Sequence, residues 1–173
     1  MAGPVTAKNL ENALWRFALD RHRRTGVEET CLDLQDTLGA DVCVVLYCLW
    51  RGQAGMPVGN ADLIAIATGE IGAWHRDVVR PLRSARRAMK RTPGSLDAGE
   101  VEAERSRVKA AELGTEKLEI AMLAILAGET ADAAVDRERR IAIAEANLAA
   151  YLASLGAADA VSGSRSLVRT CID

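Results

Sequence analysis

Asp41-Val42-Cys43-Val44-Val45-Leu46-Tyr47-Cys48-Leu49-Trp50 is the stretch that decides the fold. From Val42 to Trp50 nine residues run without a polar break. A membrane-spanning helix needs ~20 such residues, so the run is too short to cross a bilayer. It is also poor as a strand, because no neighbouring segment has a pattern that pairs with it. The remaining reading is a helix buried on all sides, capped at its start by Asp41.

Working outward, amphipathic helices flank this core on both sides. A first helix is predicted from about Ala7 to Arg24, with Leu10, Leu14 and Phe17 on one face and a stop at Thr25-Gly26. Glu28 and Glu29 open a second, with Val27, Cys31, Leu34 and Leu38 as its stripe and Gly39 as its end. Beyond the loop Gly55–Gly59, a stretch starts at Asn60 and breaks near Thr68-Gly69 or Gly72. The next helix spans about Trp74 to Arg91 and is kinked or restarted at Pro81. After the turn Thr92–Ser95, one long helix runs from about Asp97 to Ala127, its seam being Val108, Ala111, Thr115, Leu118, Met122 and Ile125. The last runs from about Ala131 to Leu155. These elements predict an all-α, single-domain bundle of about six helices over residues 1–156, with a flexible C-terminal tail at 157–173.

Composition agrees. The chain has 173 residues, 49% of them apolar, which excludes wholesale disorder. Aromatics are only 3%, which suits helices better than sheets. Net charge is -2, which disfavours a generally basic nucleic-acid binder. The opening MAGPVTAKNLENALW has no charged start followed by an apolar run, so no signal peptide is expected and a cytoplasmic location is. Cys31, Cys43 and Cys48 read as small core residues, and Cys171 as an exposed tail thiol.

Trp15 to Trp50 contains Gly26-Val27, Cys31-Leu32, Leu34-Gln35-Asp36, Gly39 and Asp41-Val42. With Trp74, Val78-Val79, Pro81-Leu82-Arg83 and Arg86-Arg87, this resembles a family of small bacterial conserved-hypothetical proteins, a domain of unknown function. The resemblance implies a bacterial, cytosolic, helical protein. It brings no activity, cofactor or catalytic residue with it. Position 22 is His where the family is expected to carry an aromatic such as tyrosine.

The strongest charge feature is Arg76, Arg80, Arg83, Arg87 and Lys90, one stripe at helical spacing. Residues 74–95 hold seven basic side chains against Asp77, while 96–119 hold seven acids against four bases. An antiparallel hairpin about the 92–95 turn pairs positions summing to about 187: Lys90 with Asp97, Arg87 with Glu100, Arg83 with Glu104, Arg76 near Glu112. Arg86 and Arg91 fall off that stripe and are the expected outside contacts. An arginine stripe left unpaired would suit an anion. RNA is disfavoured because no aromatics interleave the basic residues. A helix-turn-helix fails because the helix after Gly39 has no polar side chains to reach bases.

Glu112, Glu116 and Glu119 share a face and read as charge flanking the apolar seam. His22 and His75 are the only histidines, and neither follows a glutamate by three, so no metal site and no cofactor is expected. His75 has Asp77 near it in sequence, but close neighbours on a helix point apart. No nucleophile elbow, phosphate loop or dinucleotide fingerprint occurs, and no catalytic residue is assigned.

Two functions follow. One is a non-catalytic interaction or adaptor protein that binds a protein partner or itself, through long amphipathic helices and small faces such as Ala146, Ala149, Ala150 and Ala153. The other is a small enzyme or ligand-binding protein that holds an anionic amphipathic metabolite. Its pocket would draw on Trp15, His22, Asp36, Trp74, Arg83, Arg86 and Arg87, with Asp41 and Trp50 nearby.

Overall fold

A computed structural model describes residues 4–128, 134–157, 160 and 163–173. Among them there is no strand, and the molecule is all-helical. A 3-10 turn at Ala7–Asn9 precedes α1 (Ala13–His22), α2 (Val27–Leu38), α3 (Val42–Gln53) and α4 (Asn60–Thr68). Then follow α5 (Glu70–Trp74), a π-helical turn (His75–Val79) and α6 (Arg80–Ala88). These three form one continuous rod. The chain continues with α7 (Ala98–Ala127), α8 (Arg137–Ser154) and α9 (Arg165–Cys171). Among the described residues eight rods thus replace the about six expected.

The predicted core helix is at the centre. Every residue from Cys43 to Trp50 is buried, and Asp41 caps α3 by accepting the Cys43 N–H at 2.8 Å. Its longest seam is with α8. The two backbones approach closely at Gly52, where a Cβ would lie 2.4 Å from the Ala144 Cβ. Asn147, fully buried on α8, pins the 55–59 loop to α3. Its side chain donates to Cys48 O (3.2 Å) and Met56 O (3.1 Å) and accepts from Val58 N–H (2.8 Å).

Several boundaries differ from expectation. Asn12 takes the Trp15 N–H at 2.8 Å and so starts α1 at Ala13, six residues late. The break falls at Gly69, and Gly72 lies within α5. Pro81 lacks an N–H and crowds the carbonyl four residues back. The rod accommodates it through the π-turn just before, where Arg80 N–H reaches His75 O five residues away. The start predicted at Ala131, like Ser162, lies outside the described residues.

The tail reading is corrected. Leu167, Val168 and Cys171 of α9, with the following Ile172, are buried, so Cys171 is a core thiol. Arg21 donates through Nε to Cys171 O at 2.8 Å, and Arg24 holds Asp173 at 3.0 Å. A seven-residue helix carries too little periodicity to be told from a loop by sequence alone.

Candidate functional site

An open cleft of about 840 Å³ lies between α1, α2, the start of α3, α6 and α7. Its apolar wall includes Trp15, Cys31, Leu46 and Ile120, with Leu19, Leu32 and Leu113 as an exposed apolar rim. The basic side comes from Arg83, Arg86, Arg87, Lys90 and Arg91, joined by Arg23 and Lys109. Six of the seven residues assigned from sequence line this one cleft: Trp15, His22, Asp36, Arg83, Arg86 and Arg87. Trp74 does not. Its indole N–H donates to Thr115 O at 3.1 Å and ties the π-turn to α7. Trp50 packs near Tyr47 in the core.

Intramolecular pairing occurs in a different register. Arg83 donates to Glu112 at 2.9 Å and also to Glu116, and Arg86 chelates Glu112 through two bonds, one of 3.1 Å. Positions facing each other sum to between 194 (His75 with Glu119) and 199 (Arg83 with Glu116). The cause is the connection. α6 stops at Ala88 and α7 starts at Ala98, so the link is longer than a tight turn and the first turns of α7 run past the end of α6. Glu104 therefore pairs with Arg107 on its own helix, Arg76 with Asp77, and Arg87 with Asp36 of α2 at 2.6 Å. Arg86, expected to face outward, is taken by Glu112. Among the described residues Arg23, Lys90, Arg91 and Lys109 carry no ion pair.

These contacts set the charges. The Arg87 hydrogen bond holds Asp36 below the usual carboxylate range. Burial pushes Glu112 up, but the bonds from Arg86 and Arg83 outweigh it and hold Glu112 low. Burial wins at Glu116 and raises it. It also pushes the Cys43 thiol well above its ordinary value, which leaves an unreactive thiol in the cleft wall.

Behind that wall lies a cluster that the sequence reading did not assemble. His75 Nδ1 is 3.0 Å from Asp41 Oδ2 and 3.3 Å from both carboxylate oxygens of Glu119. The Glu119 side chain is wholly buried, and those of Asp41 and His75 are 11% and 12% exposed. The two carboxyls face the same imidazole nitrogen, so their like charge adds to burial in disfavouring two ionised carboxylates. Burial raises both and lowers His75. The glutamates read as charge flanking the seam are thus interior: Glu112 and Glu119 are buried, and His75 faces across to α3 and α7. The one signal in the sequence was the shared face of Glu112, Glu116 and Glu119. It lacked a partner, because Asp41 looked fully used as a helix cap. In fact Oδ1 caps α3 and Oδ2 turns to His75.

The fold and the cleft define an all-helical protein with a half-apolar, half-cationic groove and a buried acid–imidazole cluster at its back. The chain belongs to a protein family of unknown function, DUF2390, whose model matches residues 13–123. That span contains every cleft residue and all three members of the cluster. No curated protein and no solved structure matches the chain. Among the described residues, no helix is long and apolar enough to cross a membrane.

Proposed function

We propose that the protein binds an amphipathic anion, a molecule with an apolar body and a carboxylate or phosphate head, in the α1–α2–α6–α7 cleft. One observation carries this reading. A single groove joins an apolar wall of Trp15, Leu46 and Ile120, rimmed by Leu32 and Leu113, to cations that form no ion pair among the described residues at Lys90, Arg91, Lys109 and Arg23. The paired arginines shape the groove and the unpaired cations take the head group.

Thermal shift with octanoate and octyl phosphate tests it, with octanol and inorganic phosphate as controls. At 100-fold its Kd a ligand stabilises by ~2.7 kcal/mol, or roughly 5–11 °C for a chain of this size. The octyl anions should shift the melt and the controls should not, and Lys90→Glu with Arg91→Glu should abolish the shift. No shift with any anion removes the reading.

A protein-interaction or adaptor role is the second reading. Leu19, Leu32 and Leu113 rim the same cleft at 38%, 41% and 52% exposure, and apolar patches of this kind mark docking sites. Its occupant would be an acidic amphipathic helix or a second copy of the chain. Sedimentation at micromolar concentration should then show a dimer or larger species.

A further inference from the structure

We propose that Asp41, His75 and Glu119 form a binding site for a divalent first-row transition cation of the Zn²⁺ or Mn²⁺ type, independent of whatever occupies the cleft. One nitrogen and two carboxylates converge, with their ligand atoms all within 4.8 Å of one another. They come from three separate elements: the cap of α3, the π-turn and the middle of α7.

Two buried carboxylates and an imidazole are not by themselves a site. Glu119 makes the difference. Its side chain has no solvent exposure, and Oε1 has no hydrogen-bond partner among the described residues, although it lies 3.3 Å from His75 Nδ1. The imidazole N–H has one direction to donate along, and two carboxylates face it. A buried acceptor left without a donor is unfavourable, and more so if it is charged. Arg83, whose charge is felt at both His75 and Glu119, is committed to Glu112 and Glu116. No protein cation is therefore free to neutralise the pair. A divalent ion balances two carboxylates and leaves the imidazole neutral.

The spacing also fits. With ligands ~2.0–2.2 Å from a metal, neighbouring donor atoms lie ~2.8–3.1 Å apart in an octahedron and ~3.3–3.6 Å in a tetrahedron. The two separations from His75 Nδ1, 3.0 Å to Asp41 and 3.3 Å to Glu119, fall in that span. A mixed nitrogen and oxygen set favours Zn²⁺, Mn²⁺ or Fe²⁺ over Ca²⁺, which takes six to eight oxygens, and over Mg²⁺, which keeps its waters. Three protein ligands leave at least one coordination position for water or another donor.

Each donor is oriented from outside. Asp41 Oδ1 is held by the Cys43 N–H, which fixes Oδ2 toward the cluster, and its backbone N–H donates to the Tyr151 hydroxyl at 2.7 Å. Trp74, adjacent to His75, bonds Thr115 O one helical turn before Glu119. This locks the imidazole-bearing segment to the glutamate-bearing helix. Such outer bonds hold metal ligands in place and account for much of a site's affinity. The π-turn that carries His75 is of the kind that often marks functional positions.

The test is titration of chelator-treated full-length protein with Zn²⁺ and Mn²⁺ by calorimetry and thermal shift, with Mg²⁺ and Ca²⁺ alongside. One equivalent of Zn²⁺ or Mn²⁺ should bind and raise the melting temperature, with little response to Mg²⁺ or Ca²⁺. Glu119→Gln keeps the shape and removes the charge, and should weaken binding about 100-fold or more. Circular dichroism checks that the variant folds. If it does not, His75→Gln and Asp41→Asn provide the same comparison, and elemental analysis of the purified parent protein gives a reading that needs no variant. The proposal is overturned if the parent takes up no cation, or if Glu119→Gln and His75→Gln bind it as well as the parent. A Glu119→Gln protein that melts higher than a parent unable to bind metal would identify the cluster as a proton-sharing pair instead.

Discussion

The α3–α8 seam and the α6–α7 seam are both long helix contacts, built by opposite means. The first is mostly apolar. Leu49, Leu148 and Leu152 are fully buried and Gly52 against Ala144 lets the backbones close up, with Asn147 and Tyr151 adding single bonds to Cys48 O and the Asp41 N–H. The second is ionic. Arg83 and Arg86 converge on Glu112 and Glu116, and His75 on Glu119. Apolar contact is non-directional and tolerates small shifts, so it supplies energy. Charged contact needs each partner in place, so it fixes register and leaves unpaired groups at the margin. The cleft and the acid–imidazole cluster both lie along the ionic seam.

The largest effect expected from breaking this contrast is on the apolar side. Leu49 has no exposure, and Leu49→Ala removes its contacts and leaves a cavity, at a cost of ~2–5 kcal/mol. For a chain of this size the melting temperature should fall by roughly 4–20 °C. Gly52→Ala follows by overpacking, at ~1–3 kcal/mol, and adding Ala144→Gly should return part of that loss. Chemical denaturation of the two single variants and the double variant reads this coupling. Strict additivity would show that the close approach does not hold the seam.

The ionic side should respond less to mutation but more to pH. Glu112→Gln leaves Arg83 and Arg86 short of a charge at a buried position, at ~1–3 kcal/mol. Burial pulls the Glu112 carboxyl up, yet the arginines hold it below its unfolded value. Such a group stabilises the fold at pH above the unfolded value, and the contribution fades as pH falls through the lowered folded value. The urea midpoint of the parent should therefore drop on acidification from roughly pH 5 to pH 3, and more shallowly in Glu112→Gln. Parallel curves would mean that the arginines do not lower Glu112.

The same contrast explains what was legible in the sequence. An unbroken run such as Val42–Trp50 has one physical solution, so the core helix, its Asp41 cap and the Gly39 stop could be read directly. Basic and acidic stripes have many solutions. The pairing of 74–91 with 96–119 was visible as charge, but its register depends on where α6 and α7 stop. Asp97 caps α7 and its start could be read, but Ala88 carries no signal that separates it from Arg91, and nothing in the sequence shows how far α7 overruns α6. Six cleft residues were found because large aromatics and arginines within a few turns must converge somewhere. Asp41, His75 and Glu119 stayed hidden because each has an ordinary local role, and the π-turn that redirects His75 is a response to Pro81 that no helical wheel represents.

The smallest expected effect sharpens the difference between buried and exposed charge. Arg87 and Asp36 join α6 to α2 across the cleft, but both side chains are nearly half exposed. Water and salt screen such a pair, so Arg87→Ala should cost only ~0–1 kcal/mol and shift the melting temperature by less than about 4 °C. Raising the salt concentration should shrink even that difference, while the Glu112→Gln deficit should persist, because a buried pair is screened much less. A melting scan of both variants at low and high salt separates the two cases. Should Arg87→Ala prove the more damaging, the α2–α6 bridge rather than the Arg83–Glu112–Arg86 cluster would be what holds the basic helix in place.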